Sequence, residues 1–136
     1  MTDLIGKSGV IVHTVIPSDL ATYWKNDVPV LATPILLWLT ELAAIKALDS
    51  VTTRSYMTLG TAHNSRHLAP TPVGFILHIR ATVISVKAKR ITFNVEATDG
   101  TDIVLEGTHT RALVDRKIFE TRITKKVTEK QYKVKA

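Results

Sequence analysis

The chain predicts an antiparallel α+β fold in which one long helix is held inside a curled sheet of about five strands. Three observations carry this. Residues Thr33 to Leu48 read as one helix, apolar on nearly every face, unlike a surface helix with a single apolar stripe. The segments after it alternate at the period of strands. Short turns join those strands after a single early helix, the pattern of an antiparallel α+β arrangement.

In chain order, Gly9 to Ile16 is rich in β-branched residues and reads as the first strand. Pro17-Ser18-Asp19 ends it, Leu20 to Lys25 forms a short helix or turn, and Lys25 to Pro29 is a loop. Thr33-Pro34 is a helix-start signal. The threonine hydroxyl can cap an orphan N–H, and proline at the first helical position loses no bond. Arg54 to Leu68 reads as a long strand, with a bulge or close backbone approach expected at Gly60. A turn over Ala69 to Gly74 follows. Phe75 to Val86 then alternates, with Phe75, Leu77, Ile79, Ala81, Val83 and Ser85 on one side. Lys87 to Arg90 is a basic turn, and Ile91 to Thr98 alternates again through Ile91, Phe93, Val95 and Ala97. Asp99-Gly100 is a strong hairpin signal, and Asp102 to Val114 supplies the last strand.

With 136 residues and no break in composition, one domain is expected over residues 1–124, followed by a basic tail over 125–136. The absence of cysteine rules out a disulfide framework, a thiolate zinc site and a cysteine nucleophile, and favours a cytoplasmic location. No signal peptide is evident. The longest uncharged apolar run, Val28 to Thr40, is shorter than the roughly 20 residues a bilayer span needs. The net charge of +6 is uneven: Asp115 to Ala136 holds eight Lys/Arg against three Asp/Glu. Such a segment is either a solvated, partly frayed tail or an attractor for an anionic ligand. Aromatic interleaving is confined to Phe119 and Tyr132, which argues against nucleic acid.

At helical spacing Glu41 neighbours Pro34, Leu37, Trp38, Ala44, Ile45 and Leu48. A carboxylate among such neighbours is paired, for instance with Arg66 or Arg111, or placed for chemistry, because burying it alone costs several kcal/mol. Thr33 at the helix start is an ordinary cap, or sits at the mouth of a site served by free N–H groups and the helix dipole; both can hold. Of the five histidines, His13 and His78 fall in strand patterns without a charged constellation and read as structural. His63 and His67 are four apart, but on a strand that is roughly 13 Å, so they cannot share a zinc ion. His67 precedes the rigid Ala69-Pro70-Thr71-Pro72 turn, a good place for a fixed general base. His109 reads as a pairing or supporting residue on the last strand.

Gly60-Thr61, then His67-Leu68-Ala69-Pro70-Thr71-Pro72-Val73-Gly74, Asp99-Gly100 and Gly107-Thr108-His109-Thr110-Arg111, together with the Thr33 to Glu41 helix, form an ordered set. It resembles the fluoroacetyl-CoA thioesterase-like branch of the hotdog-fold thioesterases, over roughly residues 9–120. The resemblance implies a hotdog fold, a homodimer or higher oligomer, and hydrolysis of an acyl-CoA thioester. It implies no metal and no cofactor beyond the CoA of the substrate. Carried over by position, the catalytic threonine, glutamate and histidine fall on Thr33, Glu41 and His67, and the substrate-contacting glycine and arginine on Gly60 and Arg111. Two departures stand out. Where the fluoroacetate-specific relative has a phenylalanine-bearing lid, this chain has Trp24 and, at the second phenylalanine position, Asp27, which points away from fluoroacetyl-CoA as substrate. Pro34 also replaces a glycine after the threonine, so the amide of residue 34 cannot be an oxyanion donor.

The sequence therefore predicts a small homodimeric acyl-CoA thioesterase with no nucleic-acid or membrane partner. Its rivals are an enoyl-thioester hydratase on the same fold and a non-catalytic acyl-CoA binding protein. Thr33 and Glu41 are too far apart on one helix to touch the same carbonyl, which leads to the expectation that two chains share each site.

Overall fold

The computed structural model describes residues 2–135. Strands β1 (Ser8–Thr14), β2 (Tyr56–His67), β3 (Ile76–Lys87), β4 (Arg90–Thr98) and β5 (Ile103–Asp115) form one curled antiparallel sheet. Their order is β1-β3-β4-β5-β2. Helix α1 (Thr33–Ala47) packs on this sheet, and α2 (Arg116–Lys135) continues from its last strand. Two 3-10 turns, Pro17–Asp19 and Ala21–Trp24, lie between β1 and α1.

The alternation read from the sequence places the core. Leu77, Ile79, Ala81 and Val83 of β3 and Ile91, Phe93, Val95 and Ala97 of β4 are all buried, facing Leu36, Leu39, Ala43, Ala44 and Ala47 of α1. Each of the larger side chains contributes about 1.5–3 kcal/mol by leaving water. The alanines bring the helix close. A Cβ at Gly9 on β1 would collide with the Ala43 carbonyl and the Ala47 amide, so only glycine lets β1 run against this turn of α1.

Four expectations need correction. Ala32, with extended backbone, occupies the capping position, so Thr33 is the first helical residue and Pro34 the second; no side chain caps this end. The Thr33 hydroxyl is thereby released for another partner. Phe75 lies outside β3 and is exposed. Beyond Val83 a bulge inverts the side-chain alternation, so Val86 rather than Ser85 packs on the core. Finally, the basic C-terminal segment is no frayed tail. Asp115 accepts the Ile118 amide at 3.0 Å, capping a helix that runs unbroken through the expected boundary at 124/125. That helix touches β5 and leaves Ile118, Ile123, Val127 and Tyr132 exposed.

The sheet covers one side of α1 only. Pro34, Trp38 and Ile45 recur at helical spacing along the opposite side, where Trp38 is 48% and Ile45 39% exposed, while Glu41 at the border of that side turns to β2 and β5. Strand β2 stands at one edge of the sheet over twelve residues.

The loop between β2 and β3 is pinned in its middle at Thr71. Thr71, fully buried, donates its hydroxyl to Asp99 Oδ2 at 3.0 Å and accepts the Leu31 amide on its carbonyl at 2.8 Å. Asp99 in turn accepts the Thr101 and Asp102 amides. One turn thus fixes both the segment entering α1 and the loop leaving β2.

Candidate active site

The expected residues fall into two groups at different heights on α1. The first is Thr33 with His67: the hydroxyl and imidazole Nδ1 lie 2.8 Å apart, joining the first residue of α1 to the last of β2. Burial lowers the His67 pKa, opposed by a hydrogen bond to the Ala69 backbone, so the neutral imidazole is favoured. Its Nε2 is buried and has no hydrogen-bond partner among the described residues. An unsatisfied buried nitrogen of this kind is costly unless a ligand meets it. The pair lines a cavity of about 550 Å³, walled by Ala21, Trp24, Leu31, Leu68 and Pro70. Its volume falls in the range of small-molecule sites. Pro34 offers no N–H there, and the Leu36 amide is taken by the Ala32 carbonyl.

The second group surrounds Glu41. Arg111 is 3% exposed and gives Nη1 to Glu41 Oε1 at 2.9 Å, Nε to the Thr58 hydroxyl at 2.9 Å and Nη2 to the Thr58 carbonyl at 3.0 Å. Burial lowers its pKa while Glu41 opposes that; a guanidinium stays charged regardless. Arg66, the other arginine considered for Glu41, faces Glu106 instead at 3.5 Å. Gly60 makes the arrangement possible, since a Cβ there would strike Glu41 Oε1. Gly60 and Arg111 therefore seat the carboxylate; neither lines the cavity at Thr33 and His67.

Two histidines complete this group. His109 is fully buried, and its Nδ1 lies 2.9 Å from the Ala62 carbonyl. A carbonyl only accepts, so Nδ1 carries the proton and Nε2 accepts from Arg111 at 3.2 Å. Burial drives the His109 pKa down to about 4, so the ring is neutral at neutral pH. His63 stacks on it with centroids 4.2 Å apart and 15° between planes, and brings its Nε2 to 3.7 Å from Glu41 Oε2. The donor atoms of Glu41, His63 and His109 lie within 4.8 Å of one another, a spacing that suits a metal ion. Arg111 argues against one, because its guanidinium already bonds Glu41 and His109 where a cation would have to sit.

The sequence identified His109 as a supporting residue but missed His63 beside Glu41. The reason is the bulge between Gly60 and Ala62. Arg111 and His109, two apart on β5, pair with Gly60 and His63, three apart on β2. Simple alternation would have put Gly60 and His63 on opposite faces.

Comparison with known proteins identifies the family and agrees with the fold. The family model for the fluoroacetyl-CoA-specific thioesterase FlK matches residues 15–117. The chain belongs to the fluoroacetyl-CoA thioesterase family. A curated member, the fluoroacetyl-CoA thioesterase of Streptantibioticus cattleyicolor, is 33% identical over 97 residues, spanning 71% of this chain and 70% of that protein. The solved structure of the fluoroacetyl-CoA thioesterase FlK superposes with a TM-score of 0.83 at 29% identity, covering 90% of this chain and 96% of that one. A hot-dog-like protein from Thermanaerovibrio acidaminovorans shares the fold with a TM-score of 0.84 at 22% identity, over 92% and 95% of the two chains. The fluoroacetyl-CoA thioesterase family is one of hotdog-fold thioester hydrolases, so the curled sheet and its helix are those of a thioesterase.

Proposed function

We propose that this protein hydrolyses a small acyl-CoA thioester to the free acid and CoA, working in the cytoplasm as a homodimer without a metal or a further cofactor. The observation that carries the reading is the Thr33–His67 hydrogen bond at the wall of the cavity, where an imidazole kept neutral by burial can accept a proton. Glu41, bonded by Arg111, supplies the carboxylate, and Gly60 and Arg111 fix its position at the substrate.

Eight helical residues separate Thr33 from Glu41, roughly 12 Å along the axis and about 80° around it. The uncovered face of α1 carries the exposed Trp38 and Ile45, with Glu41 at its border beside β2. In this reading a second copy packs on that face and presents its Thr33–His67 pair to Glu41. The long edge of β2 supports the same pairing, since an unpaired strand edge invites a partner. Each site thus uses Thr33 and His67 of one chain and Glu41 of the other.

The test is thiol release from short, branched and aromatic acyl-CoAs by the wild type and Glu41→Gln. Wild-type turnover and a folded, inactive variant support the reading. A folded variant with normal turnover and a lowered Tm would reduce Glu41 to a structural partner of Arg111. Loss of enoyl-CoA absorbance without thiol release would mark a hydratase instead.

A further inference from the structure

We infer that His63 is the proton-transfer partner of Glu41, connecting the carboxylate to solvent; this rests on the reading of Glu41 as the catalytic carboxylate. The two oxygens of Glu41 are not equivalent. Oε1 is held by Arg111 at 2.9 Å. Oε2 faces His63 Nε2 at 3.7 Å. That is longer than a hydrogen bond, and catalytic contacts of this kind often tighten only when substrate binds.

Only one of the two stacked imidazoles can move a proton here. His109 is locked: Nδ1–H is committed to the Ala62 carbonyl, Nε2 to Arg111, and the side chain has no access to water. The side chain of His63 is 25% exposed, so it reaches both the carboxylate and the solvent. The stacking on His109 fixes its plane.

Hydrolysis forms a C–O bond from water to the acyl carbon and breaks the C–S bond, whose electron pair leaves on sulfur. One water proton is left on Glu41 Oε2. His63 Nε2 takes that proton and passes it to solvent, from which the thiolate is protonated. Glu41 returns to its ionised form, and no other reactant is consumed.

The experiment uses the full-length chain and the fastest substrate of a screen spanning acetyl-CoA, isobutyryl-CoA and benzoyl-CoA. His63→Ala should lower kcat roughly ten- to a hundredfold, with KM within about twofold of wild type. Added imidazole should restore much of the lost kcat, because a free base can replace a missing proton carrier. His63→Gln, which keeps a polar side chain in place, should be as slow as His63→Ala and respond to imidazole less. Wild-type kcat in His63→Ala, or a slow variant that imidazole leaves unchanged, overturns the inference and leaves His63 a stacking residue. Glu41→Gln in the same assay separates the two levels. If it is inactive and insensitive to imidazole, the carboxylate reading stands whatever His63 does. Normal turnover in Glu41→Gln removes both.

Discussion

The Thr33 hydroxyl lies 2.8 Å from Nδ1 of His67, and Glu41 takes no part in that pair. A triad running along one chain from Glu41 through His67 to Thr33 is therefore not what this fold builds. The imidazole answers to the hydroxyl, and the carboxylate answers to Arg111.

Removing the hydroxyl should break the first pair without unfolding the helix, since Thr33 caps nothing. Thr33→Val is expected to lower kcat by about 10²-fold, whereas Thr33→Ser retains most of it. Burial depresses the His67 pKa, so its neutral form persists below the ordinary imidazole range. The acid limb of kcat/KM against pH should accordingly fall below 6.5, the ordinary value for histidine. Steady-state kinetics from pH 4 to 8 check both points.

Mixing subunits tests the shared site. Thr33→Ala and Glu41→Ala proteins, each inactive alone, should regain activity when unfolded and refolded together. The mixed dimer then holds one site with both residues and one with neither. Verified mixed dimers that stay inactive would place the chemistry within a single chain.

Acid should destabilise the protein through His109. The unfolded chain binds this proton near pH 6.5, the folded one only near 4. Stability is therefore full above 6.5 and declines as pH falls toward 4, by roughly 3 kcal/mol from this one group. His109→Asn should be less stable at pH 7, because it disturbs Arg111, and should lose less between those two values. Urea melts across that range measure the slope.

Truncation after Thr124 should leave the fold and kcat near those of the full chain. The part of α2 that remains keeps the partly buried Phe119, while the part removed is basic and exposed over residues 125–132. Binding of acyl-CoA should weaken at low salt and match the full chain at high salt, where screening removes long-range attraction. Circular dichroism and KM at two ionic strengths decide this.

How much of this was legible beforehand follows from what sets each feature. Strand alternation and the bounds of α1 come from local pattern, so β3, β4 and the helix emerge within a residue or two of their positions. Bulges depend on pairing across strands. The one in β3 moved Ser85 off the core, and the one at Gly60 concealed His63 as a neighbour of Glu41. Thr33, Glu41 and His67 were singled out by the family resemblance, and Arg111 was one of two arginines considered for Glu41, but the pairing of His67 with Thr33 was not foreseen. Which acid meets which base depends on how far around α1 each residue points, and the sheet decides that. The helicity of the C-terminal segment was hidden by its charge, which masks helix formers such as Lys, Arg and Glu as a solvated tail.

The bond network at Thr71 has a mechanical consequence. Its carbonyl holds Leu31, two residues before Thr33, and its hydroxyl holds Asp99, while His67 lies four residues upstream at the end of β2. Hydroxyl and imidazole are thus mounted on a common bracket. Loss of Thr71 would therefore reach both ends of the pair at once, loosening the segment ahead of Thr33 and the loop behind His67 together.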